Sequence, residues 1–334
     1  MADRRTPILQ AALLAIAAAL GIATLGTSQW AAMNMQWALI GLPVAAASAS
    51  ALAYSGRTIV AAVALAIGVA GAALLNTWSV LFAVPAVLAV LAAIVLIRRV
   101  SYLWVGAGLI TVFTVVGYGL DAMLAQSKGH TLGEEVVAQS KAAMAPLAAA
   151  TDPQTAAQFT KQVVEAYKQI VPVLPSAYFL AGLLLALVVI AAITWSARRL
   201  DEPVNVPTFD RIDLPPLVVL GAVVGLIALG IARVASAGPV WTAIGSNLLL
   251  CTSYLLLIQG LAVYSALLKR AHVGTPGRVA AYVVLLVLDV LVKIVTITGL
   301  ADMWLNFRRL PREGRPDLPP KPAPSRGDDA SSGV

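Results

Sequence analysis

Charge is scarce in this sequence, and so are the residues that most often hold metals. Of 334 residues only 12% are Asp, Glu, Lys or Arg, about half the share of a soluble domain. There is one cysteine, Cys251, and two histidines, His130 and His272. A lone thiol excludes an internal disulfide and a thiolate metal centre. Two histidines in separate connecting segments make a His-based zinc site an unpromising reading, so no metal or cofactor is expected. No GxxxxGK[ST] loop is present, so the chain is not its own ATPase. HExxH and GxSxG are missing as well, and no nucleophile–base pair volunteers, so an enzyme is not expected.

What the chain has in excess is apolar surface. Sixty per cent of it is hydrophobic and the mean hydropathy is +0.86, more than one aqueous core can bury. That surplus has to face lipid. Apolar stretches of spanning length run at about 7–26, 30–54, 58–76, 79–97, 102–125, 176–195, 217–231, 241–268 and 279–300, each near the roughly 20 residues a bilayer requires. The fold class expected is all-α, a polytopic membrane bundle of about eight or nine transmembrane helices. The opening apolar run lacks a convincing cleavage site and reads as a retained first helix, not a removed signal.

The net charge of +7 does not point to nucleic acid, because the basic residues sit at the ends of apolar runs. Arg4 and Arg5, Arg57, Arg98 and Arg99, Arg198, Arg199 and Arg211, then Lys269, Arg270 and Arg278 fall on every second connection. By the positive-inside rule the N-terminus is cytoplasmic, in a bacterial-type inner membrane. A ninth full span conflicts with that rule, since it leaves Arg308, Arg309, Arg312 and Arg315 outside. Three resolutions stand: 279–300 is re-entrant or broken, a shorter stretch does not span, or the tail lies outside. The cytoplasmic tail is favoured.

The long connection 126–175 falls outside on this topology. Thr131 with Glu134 forms a capping-box pattern, and Asp152 before Pro153 reads as an N-cap followed by proline at the first helical position. Phe159, Val163, Tyr167 and Ile170 then recur at helical spacing. Two short amphipathic helices over the outer face are expected there. The tail beyond Leu310, rich in Pro, Asp, Ser and Gly, reads as disordered.

Polar groups inside spans are costly and call for a reason. Asp289 and Lys293, four apart, lie on one helix face at pairing distance. They read either as a self-neutralised pair anchoring the helix or as a gate facing a cavity. Asn247 and Gln259 read as helix-to-helix hydrogen-bonding groups or as substrate contacts. Asn34, Gln36 and Asp121, near outer ends of spans, are further candidate substrate contacts, with interfacial solvation as the plainer account. Ala11, Ala15, Ala19 and Ala23 place a small residue at every fourth position of the first helix, which reads as a docking stripe for another membrane protein or as plain internal packing.

Four blocks in the last third stand out: "FDRIDLPP" (209–216), "IGSNLLL" (244–250), "IQGLAVYSALLKR" (258–270) and "GLADMWLNFRR" (299–309). Their order resembles the YybS-like family of bacterial membrane proteins, domain of unknown function 2232. That family shows an Asn-Leu element, an aromatic-or-Ile-Gln-Gly element and a terminal Gly-x-x-Asp-x-x-x-[Asp/Asn]-x-Arg element. Asn306 stands where an acidic residue is common. The family in turn looks distantly similar to S-components of energy-coupling-factor transporters. That resemblance implies a ligand pocket open to the outside and a small-residue stripe on the first helix.

The resulting division is a six-helix, S-component-like membrane core over 1–200, including the outer loop 126–175. C-terminal membrane helices follow over 201–310, then a disordered cytoplasmic tail over 311–334. The function expected is a transporter or substrate-binding membrane component for a small molecule of unknown identity, with the 126–175 helices as a lid. The alternative is a structural or regulatory scaffold in which basic Arg308 and Arg309 read anionic lipid or a cytoplasmic protein. The lipid bilayer is the one partner common to both, and nucleic acid is excluded.

Overall fold

The computed structural model describes residues 11–14, 16, 31–75, 77–149, 152–234 and 238–310, and the described residues are helical wherever they form regular structure. The helices are α1 (Ala31–Tyr54), α2 (Thr58–Leu75), α3 (Thr77–Leu96), α4 (Tyr102–Ser127), α5 (Leu132–Ala149), α6 (Pro153–Ile170) and α7 (Leu174–Arg199). They continue with α8 (Val218–Val234), α9 (Pro239–Arg270), α10 (Thr275–Val292) and α11 (Ile294–Leu305). Among the described residues, four helical stretches are long and apolar enough to cross a membrane: Tyr102–Ser127, Gln154–Arg199, Pro239–Arg270 and Thr275–Val292. Shorter apolar helices accompany them. Much of the first apolar run (7–26), together with Arg4, Arg5 and the tail 311–334, lies outside the described residues.

Helix starts follow local chemistry. Ser101 accepts the Leu103 N–H at the head of α4, and Asp152 accepts the Thr155 N–H at the head of α6, with Pro153 behind it. Thr131 and Glu134 bond reciprocally, the Thr131 N–H reaching Glu134 Oε2 at 2.8 Å. Two helices thus occupy the connection as expected, but only α6 is strongly amphipathic, and α5 is weakly so. α6 packs on α5 and on the 3-10 turn Val171–Val173, which carries it on into α7. The continuous stretch Gln154–Arg199 has 46 residues, about 69 Å at 1.5 Å per residue. A bilayer core is about 30 Å thick, so α6 extends α7 well beyond it.

α7 is the axis of the first half. α1 and α4 both pack on it, and Leu42, Ala45, Ala46 and Ala49 of α1, Phe113 of α4, and Leu185, Val189 and Ile193 of α7 share one buried core. Small residues let these backbones approach: a Cβ on Gly182 of α7 would lie 2.6 Å from Thr114 Oγ1 of α4. α9 is the axis of the second half, between α8 and α11, and it also touches α7.

The stretch 279–300 is broken. Lys293 takes a left-handed conformation (φ 58°, ψ 24°) between α10 and α11, a backbone state unfavourable for side chains other than Gly and Asn. α11 then turns back along α9. Phe307 and Arg308, just past its end, offer their carbonyls to the Arg270 guanidinium at 3.3 and 2.9 Å. Arg270 ends α9, five residues before α10 begins at Thr275. The α10–α11 hairpin therefore returns the chain to the end it left.

Candidate functional site

At that end of the bundle basic side chains gather. Arg98 pairs with Glu202 at 2.6 Å and lies over the Tyr54 ring at 4.1 Å, joining the ends of α1, α3 and α7. Lys269 pairs with Asp210 in the 3-10 turn Phe209–Arg211. Burial pushes the Asp210 carboxyl up, but hydrogen bonds from Lys269 and Thr208 outweigh it and hold this group below the usual carboxylate range.

Arg308 is the centre of this end. Its side chain is 1% exposed, and all five guanidinium N–H groups have acceptors. Nε donates to Asp302 Oδ2 at 3.0 Å. Nη2 donates to Asp302 Oδ2 at 2.8 Å and to Asp213 Oδ1 at 3.0 Å. Nη1 donates to the carbonyls of Asp210 at 3.2 Å and Ile212 at 2.5 Å. Gln259, fully buried, bridges the same two carboxylates from α9. Its Nε2 lies 2.8 Å from Asp213 Oδ1 and 3.2 Å from Asp302 Oδ2, and its Oε1 accepts the Leu214 N–H. A desolvated guanidinium held by two carboxylates is stable only when its remaining protons are also satisfied, which the two carbonyls accomplish.

Two glycines make this meeting possible. A Cβ on Gly260 would lie 2.0 Å from the Val295 carbonyl oxygen, and one on Gly299 would lie 2.1 Å from that of Leu256. α9 and α11 touch backbone to backbone, which brings Asp302 to Gln259. Asn306 (φ 47°) then ends α11 in the left-handed region. Its amide donates to the Leu310 carbonyl at 2.8 Å and accepts the Leu310 N–H at 2.9 Å. An aspartate could make only the second bond.

Beside the buried arginine lies an open cavity of about 570 Å³, lined by Asp210, Arg211, Lys269, Arg270 and Arg309 among others. An apolar groove of about 770 Å³ runs along α7 on the other side of Lys269. Among the described residues no group of three or more His, Cys, Asp or Glu side chains is placed to hold a metal ion.

Three of the four sequence blocks that stood out meet in this network, and the fourth, around Asn247, braces the far end of α7. The family model for Predicted membrane protein (DUF2232) matches residues 15–303. The chain belongs to the DUF2232 family. Comparison with curated proteins and with solved structures gives no match.

The other candidate residues of this DUF2232 protein are placed as follows. Asn247 receives the Ser176 N–H at 2.8 Å and donates to the Pro172 carbonyl at 2.7 Å, tying α9 to the start of α7. Asp121 is buried and accepts the Tyr178 hydroxyl, with Tyr118 edge-on to Tyr178 at 5.4 Å. Asp289 and Lys293 are 3.5 Å apart, yet Asp289 is 3% exposed and accepts the Thr296 N–H and hydroxyl at 2.8 and 2.9 Å. The carboxylate caps α11 across the break, while the Lys293 side chain is 57% exposed.

Ala11 packs against the core of the first half. Ala15 and Ala19 lie outside the described residues, as do the side chains of Asn34 and Gln36. The structure brings Gln259 and Arg308 together and leaves Asp121 and Asn247 at the opposite end. Asp213 and Asp302 were not singled out as site residues. Asp302 shares its block with the Arg308 it meets, whereas Asp213 meets residues of two other blocks.

Proposed function

We propose that this protein is a structural or regulatory component of a bacterial inner membrane that holds an anionic cytoplasmic partner at its basic end. The observation that carries the reading is the saturated Arg308. Its five bonds fix the segment after α11 and present Lys269, Arg270 and Arg309 around an open cavity. In this reading Arg308 organises and Arg309 binds. The topology is eight spans with the N-terminus cytoplasmic, followed by the re-entrant α10–α11 hairpin. Eight spans and a hairpin place every strongly basic connection, Arg308 and Arg309 included, on one side, and so satisfy the positive-inside rule. We take the role as non-enzymatic, since the sequence carries no catalytic motif.

An alanine scan of Arg211, Arg270 and Arg309 against Asp121 and Asn247, scored by partner recovery from mild detergent, tests this. The scaffold reading expects loss of one stoichiometric protein only with the basic set. Loss confined to Asp121 or Asn247, or recovery of a stoichiometric metabolite, refutes it.

A second reading, a small-molecule transport component with an S-component-like core of the YybS type, is favoured by the broken α10–α11 element. Discontinuous membrane helices line substrate sites in many transporters. Its signature is metabolite retention that depends on Asp289 and Asn247.

A further inference from the structure

We propose that the groove along the C-terminal half of α7 holds an acyl chain of an anionic glycerophospholipid, its phosphate seated against Arg198, Arg199 and Lys269. This goes beyond the scaffold reading and shares with it only the placement of the basic end at the membrane–water boundary. The groove wall is apolar: Leu187, Ile190, Ala191 and Trp195 face Val206 and Phe209 of the segment that follows α7. From Leu187 to Arg199 the helix rises about 18 Å, close to the roughly 15 Å of one leaflet's hydrocarbon. One end is therefore built for a chain in a single leaflet.

The other end is built for an anion. The charged residues lining the groove are Arg198, Arg199 and Lys269. Asp210 answers one of these charges through Lys269, which leaves a net positive rim. Depth fits as well. The Arg199 guanidinium stacks on the Trp195 ring at 4.3 Å, and tryptophan marks the headgroup level of a bilayer. A soluble phosphate would use the cations and leave the apolar wall bare. A zwitterionic lipid would bring an ammonium to a groove whose own lining carries no carboxylate. Chain and negative headgroup together match both ends.

The test is native mass spectrometry of the full chain released from detergent, with equimolar dioleoyl phosphatidylglycerol and dioleoyl phosphatidylethanolamine added. The expected result is preferential retention of phosphatidylglycerol. R198A/R199A should reduce it about thirtyfold, from roughly a fivefold loss per cation removed. R198K/R199K should keep the preference. Ala191→Trp, which fills the groove without touching charge, should reduce retention of both lipids. Equal retention of the two lipids overturns the proposal, as does unchanged phosphatidylglycerol retention in Ala191→Trp. Displacement by millimolar inorganic phosphate also overturns it and points to a soluble-anion site. Partner recovery from the same preparations reads the scaffold hypothesis separately.

Discussion

Replacing Arg308 with alanine should be among the most damaging single changes in the second half of the protein. The guanidinium is all but inaccessible and makes five hydrogen bonds, three of them to Asp302 and Asp213. Its removal leaves Asp302 as a fully buried carboxylate facing Gln259 with no cation beside it. Breaking a buried pair by deleting one partner costs about 3–5 kcal/mol, an upper share of which is the orphaned charge and not the lost bonds themselves. At about 2 °C per kcal/mol for a chain of this size, thermal unfolding of the purified protein in nanodiscs should fall by about 6 °C or more. Adding Asp302→Asn to Arg308→Ala removes the orphaned charge and should recover about 1–3 kcal/mol of that loss. Arg308→Lys keeps the charge but supplies three donors instead of five, and should lie between wild type and alanine. If Arg308→Ala melts within 1 °C or so of wild type, or if Asp302→Asn deepens the loss instead of relieving it, the network does not hold this end together.

Three further outcomes follow from other contacts. Gly260→Ala would drive a Cβ against the Val295 carbonyl at 2.0 Å, backbone that cannot rotate away. It should cost about 3 kcal/mol or more in the same melt, whereas Gly230→Ala on α8, with open space around it, should be neutral or stabilising by up to about 1 kcal/mol. Asp289→Ala removes the cap on α11 and should destabilise by about 1–2 kcal/mol, while Lys293→Ala leaves the Asp289–Thr296 bonds in place and should cost clearly less. Equal effects would mean the ion pair and not the cap is the stabilising element. Finally, the lowered Asp210 carboxyl contributes stability that is fully present above the ordinary carboxylate range and is lost as pH falls through its depressed native value. Melts taken between pH 6 and about 3 should show a decline that Asp210→Asn flattens. An unchanged acid limb in that variant refutes the Lys269–Asp210 latch.

The helices were legible because lipid imposes a simple rule: a run of apolar residues about 20 long must satisfy its backbone internally. α4, α7 and α9 follow from that alone, and the heads of α5 and α6 follow from Thr131, Glu134 and Asp152, whose partners lie within three residues. The trouble at 279–300 was also legible, as a charge count that a ninth span could not satisfy. Its resolution was not. A left-handed Lys293 has no sequence signature, and Asp289 with Lys293 four residues on reads as a simple pair until Thr296 is seen donating its N–H and hydroxyl to the same carboxylate.

The network around Arg308 was the least legible part. Asp213 and Arg308 are 95 residues apart in the chain, and charges at span ends are solvated by default. Nothing local says that these two are buried together. The sequence by itself determined the membrane class, the helix heads and the end at which positive charge collects, because hydropathy, capping and the positive-inside rule act over short stretches. Only the tertiary structure decided that Gly260 and Gly299 bring two backbones into contact. That contact turns the chain back on itself and buries an arginine among two carboxylates, a glutamine and two carbonyls.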